Sequence, residues 1–94
     1  MTEALLQSAV LDLARLLGWR THHAWISVNS GAGYPDLTLV RNGRLVFAEL
    51  KGPRGKVSPE QAAWLDDLQA CPGVEAYLWT PQEWDDGTIE RVLR

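Results

Sequence analysis

A single cysteine, Cys71, excludes a disulfide framework and any multi-cysteine zinc site. No run approaches the ~18 apolar residues of a membrane span, so no membrane association is expected. Glu3 and Asp12 stand where a secretory signal would be basic, so an intracellular, cytoplasmic location is expected. Repeats, low-complexity tracts and linkers are lacking, and 94 residues leave room for one domain, 1–94, with one core and one site. Apolar residues at 46% and charged residues at 22% are ordinary globular usage, which excludes collagen-like and disordered classes. A surplus of positive charge is also missing. The formal net charge of -3 argues, at face value, against a nucleic-acid partner.

That average conceals a division. Residues 1–56 hold seven cations (Arg15, Arg20, Arg41, Arg44, Lys51, Arg54, Lys56) against four acids (Glu3, Asp12, Asp36, Glu49). Residues 57–94 hold two cations, Arg91 and Arg94, against eight acids. The first half is therefore expected to offer a cationic working face, and the second half an acidic surface.

Local signals give the order α-β-β-β-α-β-α, a small mixed α/β domain. Thr2 can cap a helix running to about Leu17, stopped by Gly18, with the apolar stripe Leu6, Val10, Leu13 and Leu17. Glu3 extends that stripe. An acid in a first turn is favoured by the helix dipole, and it can equally point into a site. A strand is expected over 20–28, then a loop through 29–34 whose glycines do not make a phosphate-binding loop, because no Gly-Lys-Ser/Thr follows. Strands over 36–41 and 44–51 flank Asn42-Gly43, a strong type I′ hairpin signal. Ser58, Pro59 and Gln61 form a capping box opening a helix to Ala70, which Pro72-Gly73 ends. A strand over 74–79 and one short terminal helix, opened by Thr80 to Glu83, complete the chain.

The hairpin has a chemical consequence. A two-residue turn pairs Arg41 with Arg44, and the same register sets Asp36 opposite Glu49, a non-hydrogen-bonded pair with Cα atoms ~4.5 Å apart. Alternation puts Asp36, Thr38, Val40, Leu45, Phe47, Glu49 and Lys51 on one face, and the apolar Leu37, Leu39, Val46, Ala48 and Leu50 on the core face. Opposed carboxylates repel, at up to ~1 kcal/mol. Mg²⁺, which takes one or two carboxylates and keeps several waters, would compensate, and Lys51 adds a third charged group. The alternative is a solvated sheet face carrying a charge cluster.

Gly33-Tyr34-Pro35-Asp36, followed after twelve residues by Glu49-Leu50-Lys51, resembles the signature of the PD-(D/E)XK nuclease superfamily. With Glu3 and Gln7 in the first helix, GYPDL at 33–37, FAELK at 47–51, and Ser58-Pro59-Glu60-Gln61 with Trp64, the whole chain resembles the small virus-type VRR-NUC proteins. The resemblance implies a restriction-endonuclease-like core, with a mixed sheet flanked by helices and a short C-terminal helix. It also implies a divalent-metal-dependent DNA endonuclease using Mg²⁺, or Mn²⁺, and its virus-type character implies a phage-encoded origin. Asp36 and Glu49 resemble the metal-binding carboxylates, with the Leu50 carbonyl as a further ligand. Lys51 resembles the catalytic lysine, as base or as electrostatic stabiliser. Glu3 resembles the helix-borne acid that completes the site directly or through water, and Gln61 the glutamine beside the motif. The family's small standalone members imply a homodimer acting on branched DNA such as four-way (Holliday) junctions.

Other residues have weaker assignments. Arg54 and Lys56 directly follow the last site residue and suit contacts to a DNA backbone, as against a solvated turn. Ser30 and Asn29 can bond phosphate or cap their loop, and His23 or His22 can contact phosphate, though neither suits Mg²⁺. Cys71 reads as a partly buried, inert thiol. Five tryptophans exceed what so small a core holds, so one or two are expected at a subunit interface or against DNA. Two other classes stay open: a catalytically silent DNA-binding module of the same fold, and a structural or partner-binding protein.

Overall fold

The computed structural model describes residues 1–24 and 32–94. Helix α1 (Glu3–Leu16) starts where the Leu5 N–H donates to Thr2 Oγ1 at 3.1 Å. It ends in a Schellman arrangement. Gly18, at φ +87°, lets its own N–H reach the Arg15 carbonyl and that of Trp19 reach Ala14. The buried face is Leu6, Val10, Leu11 and Ala14, with Leu13 and Leu17 only half-buried beside it. Glu3 does not extend the core. It shares the azimuth of Val10, but the first turn overhangs an open cleft, and the side chain is exposed.

Among the described residues, four strands form one sheet in chain order: β1 (Arg20–His23), β2 (Leu37–Arg41), β3 (Arg44–Leu50) and β4 (Val74–Trp79). The first three are antiparallel, and β4 runs parallel to β3. The described part of β1 covers the first half of the strand expected over 20–28. It pairs with β2 only as far as His23↔Leu37, and positions 25–28 lie outside the described residues. The hairpin has the register the turn demands, Arg41↔Arg44 through Leu37↔Ala48, with Asn42 at φ +49° and Gly43 at φ +80°. Leu37, Leu39, Val46, Ala48 and Leu50 are fully buried, so the core face is the one alternation predicts.

Helix α2 (Pro59–Gln69) supplies the crossover that a parallel β3–β4 pair requires. It packs on β4 through buried Leu65, and Gln69 Nε2 donates to the Ala76 carbonyl at 3.0 Å. The C-terminus forms two short helices, where the sequence suggested one: α3 (Pro81–Asp85) and α4 (Thr88–Leu93). Gly87, at φ +82°, breaks the helix and turns Ile89 and Leu93 into the core.

The last carbonyls of α4 have no intrahelical partners, and side chains take them. Trp19 Nε1 donates to Leu93 O at 2.8 Å, Arg44 Nη1 to Val92 O at 2.9 Å, and Arg41 Nη2 to Arg94 O at 3.0 Å. Both guanidinium groups lie over the Trp19 ring, 4.7 and 5.1 Å from its centroid. Arg44 also grips Glu75 through two bonds of 2.7 and 2.8 Å. This corrects the expectation of one cationic face along the first half. Two of its seven cations are committed to tethering the C-terminus, at the hairpin tip.

The tryptophans divide. Trp19 and Trp79 are buried, Trp84 is half-buried against the core, and Trp64 is 37% exposed; Trp25 lies outside the described residues. Cys71 is exposed rather than partly buried, because it sits just past the last turn of α2, on the solvent side of the bend into β4. Among the described residues, no helix is long and apolar enough to cross a membrane.

The Arg44–Glu75–Tyr77 cluster gives stability a pH signature. Arg44's double hydrogen bond holds the Glu75 carboxyl below its ordinary value, so this stabilisation is present above the unfolded pKa of 4.5 and is lost as pH falls. Tyr77 behaves in the opposite sense. Burial, and then its 2.7 Å bond to Glu75, push the phenol up to about 12, so its contribution fades as pH rises from 10 to about 12. The thermal midpoint is expected to fall at both limits, with a shallower acid limb in Glu75→Gln. Acid limbs of equal depth in wild type and variant would refute the Arg44–Glu75 contribution.

Candidate functional site

The loop carrying Asp36 is positioned by close packing against α2. Gly33 has φ +83°, and a Cβ there would come within 2.6 Å of Gln61 N and Glu60 O, so only glycine fits. The next residue, Tyr34, sets its ring edge-to-face against both Trp64 and Phe47, at 5.1 and 6.2 Å. Trp64 Nε1 donates to the Ala32 carbonyl at 3.1 Å, and Pro35 is fully buried. Gly33 and Trp64 thus clip the loop to α2 just before the acid.

Asp36 lies one residue before the start of β2 and makes no ladder pair with Glu49. Its carbonyl accepts from the Ala24 N–H at 2.8 Å, and its Oδ2 accepts from the Leu50 N–H, also at 2.8 Å. These two bonds bring the carboxylate to Glu49 by another route than the simple register. Glu49 is 2% exposed, and its Oε2 is buried without a partner. Burial first, and then the contact with the Asp36 carboxyl, push Glu49 up to about 9; Lys51 opposes the shift and Glu3 adds slightly to it. Burial and the neighbouring carboxyl thus both favour the neutral form of Glu49.

Lys51 is anchored by its backbone N–H, which donates to the Trp79 carbonyl at 3.0 Å, and its charge is felt at Glu49. Gly52 follows, where a Cβ would lie 3.4 Å from Glu3 N, so the start of α1 stands beside the end of β3. Between the first turns of α1 and the end of β1 opens a cleft of about 420 Å³, lined by Glu3, Ala4, Gln7, Ser8, His23, Ala24 and Asp36.

The other sequence-designated residues are distributed around this centre. The Leu50 side chain is in the core, and its N–H holds Asp36. Gln61 completes the capping box: its Oε1 accepts from the Ser58 N–H at 2.9 Å, and its own N–H donates to Ser58 Oγ at 3.2 Å. That commits the Gln61 carbonyl oxygen to the helix start. His23 lines the cleft, whereas His22 is exposed on the alternate face of β1. Arg54 and Lys56 are exposed in the turn after Lys51. Ser30 and Asn29 lie outside the described residues. Among the described residues, no three His, Cys, Asp or Glu side chains converge as a metal cage. Asp36 and Glu49 are thus a two-carboxylate pair, with Glu3 at the cleft mouth. Gln7 is a cleft residue that sequence reasoning left without a role, though its i+4 spacing from Glu3 places both on one helix face.

A pair of hard oxygen donors, one of them buried and unpartnered, fits a small divalent cation that keeps most of its waters. Without a cation, the same pair burdens the fold. Because Glu49's folded pKa lies above its unfolded value, its neutral form is favoured in the fold and stability declines as pH rises from 4.5 to about 9. In EDTA at pH 8, Glu49→Gln is expected to be more stable than wild type by on the order of 1–3 kcal/mol, with no gain near pH 4. Equal stability at pH 8 in a urea titration would contradict the desolvation argument. Gly33→Ala is expected to lose about 2–5 kcal/mol by the same method, from left-handed strain and backbone overlap together. A loss below about 1 kcal/mol would show that the loop can leave α2.

Comparison with known proteins bears on this geometry. No curated protein matches the chain. A solved structure described as a VRR_NUC domain protein shares the fold with a TM-score of 0.71, over 98% of this chain and 85% of that chain, at 20% identity. The family model for the VRR-NUC domain matches residues 4–80, from α1 through the end of β4. Since that span contains the clipped loop, the Asp36–Glu49 pair and Lys51 in their order along the fold, this chain belongs to the VRR-NUC domain family, a family of nuclease domains.

Proposed function

We propose that the chain is a divalent-metal-dependent DNA endonuclease that hydrolyses phosphodiester bonds in branched DNA, such as Holliday junctions, as a homodimer. The observation that carries this reading is the buried, unpartnered Glu49 Oε2 beside Asp36 and Lys51. A solvated charge cluster would not bury a carboxyl and leave one of its oxygens without a partner.

Asp36, Glu49 and the Leu50 carbonyl would hold Mg²⁺ or Mn²⁺, with Glu3 engaged through water from the cleft mouth. When bound, the ion supplies charge neutralisation at the scissile phosphate and an acidified water. The chain's own groups do the rest. Asp36, fixed by its bond to the Leu50 N–H, orients the pair. Lys51 directs its ammonium at the attacking water or at the charge growing on phosphorus. Arg54, Lys56, His23 and Ser30 would grip flanking phosphates. Gln61, with its carbonyl oxygen committed to the cap, has only its amide N–H groups to offer. One subunit presents little surface to a duplex, which favours two copies on a junction.

The test is cleavage of labelled linear duplex, flap and four-way junction DNA with Mg²⁺, Mn²⁺ or EDTA. Cleavage is expected only with metal, and Asp36→Asn and Lys51→Ala are each expected to lower kcat about a hundredfold or more. Binding is expected to weaken steeply with salt. Full activity in EDTA or in either variant would overturn the mechanism. Equal cutting of linear duplex would remove the junction preference alone, and metal-stimulated binding without cutting would leave an accessory DNA-binding module.

A further inference from the structure

Lys51 leaves β3 as the strand ends, where a long, flexible side chain would ordinarily sample many rotamers. Its backbone is held by Trp79, but its four-carbon stem needs a separate support. The chain supplies one four residues later. The turn 52–55 closes with the Gly55 N–H donating to the Gly52 carbonyl at 3.1 Å, and this folds the backbone back over Lys51. A Cβ at residue 55 would lie 3.0 Å from Lys51 Cβ and 3.1 Å from Lys51 Cδ, tighter than an ordinary carbon–carbon contact of about 3.5–4.0 Å. Gly55 does not have the left-handed backbone of Gly33 or Gly43. Its lack of a side chain is therefore not required by its own conformation, and the group that a side chain would displace is the lysine stem.

We infer that Gly55 is a positioning residue, whose bare backbone forms the wall against which the Lys51 stem lies and so sets where its ammonium points. The inference rests on the nuclease reading for its catalytic consequence, and on packing alone for its structural one. Shifting the stem by a few tenths of an ångström is enough to matter, because about 1 Å of misplacement can cost a hundredfold in rate.

The test compares Gly55→Ala and Gly55→Val with wild type in two measurements. In the first, ¹H–¹³C NMR follows the Lys51 side chain of the intact protein. The Lys51 Cβ and Cδ resonances are expected to shift in both variants, more in valine, while the thermal midpoint stays within a few degrees. The second is cleavage of junction DNA: kcat is expected to fall about tenfold in alanine and further in valine, with KM changed less than twofold. In a Lys51→Ala background, Gly55→Ala is expected to add little. Unshifted Lys51 resonances, or an equal rate loss with and without the lysine side chain, would overturn the assignment. A wild type that cuts nothing would refute the nuclease reading, and the Lys51 resonances would still decide whether Gly55 sets the stem.

Discussion

The register of one antiparallel hairpin governs this molecule. Asn42 and Gly43 accept the positive φ angles of a two-residue turn, and everything along β2 and β3 follows from where that turn falls. A slip of one residue would send Leu37, Leu39, Val46, Ala48 and Leu50 into water and would bury the charged set. The strongest force in the domain, burial of five apolar side chains, therefore holds Glu49 and Lys51 on the opposite face. The site stands at the far end of the hairpin from its turn. From Arg44 to Glu49 is about 17 Å at the usual rise per residue.

That separation resolves the charge problem. Arg41 and Arg44 emerge at the turn and are committed there to Trp19, Glu75 and the carbonyls of α4. Lys51, Arg54 and Lys56 emerge at the other end, beside the carboxylates. A net charge of -3 is thus compatible with local positive charge just past the end of β3, but fewer cations gather there than the count over 1–56 suggests. The two ends also differ in the kind of work their charges do. The Arg44–Glu75 pair is matched, hydrogen-bonded and stabilising. The Asp36–Glu49 pair sets two acids side by side, one of them desolvated, which costs the fold stability as pH rises.

Glycine is the second organising device. Gly33 lets the loop before Asp36 approach the first turn of α2. Gly55 gives the Lys51 stem a wall. Both stand beside a site residue, and both act by having no side chain where another group must come close. Tyr34 and Trp64 secure the loop by aromatic contact and leave part of their rings at the surface.

Sequence alone determined the elements whose causes are local. Capping boxes at Ser58–Gln61 and Thr80–Glu83, the Asn42-Gly43 turn, the alternating faces and the Schellman glycine after α1 are each settled within a few residues, and the helix and strand order follows from them. The convergence of Asp36, Glu49 and Lys51 was legible for the same reason, since one hairpin carries all three. Tertiary structure decided what depends on distant partners. Asp36 reaches Glu49 through the Leu50 N–H instead of a ladder pair, and Glu3 is exposed because α1 overhangs the sheet. The capping box occupies Gln61's oxygen, and Arg41 and Arg44 turn away to hold the C-terminus. No local pattern encodes these outcomes. They depend on which backbone groups remain unpaired once the helices have docked, and on how much water is left around each charge.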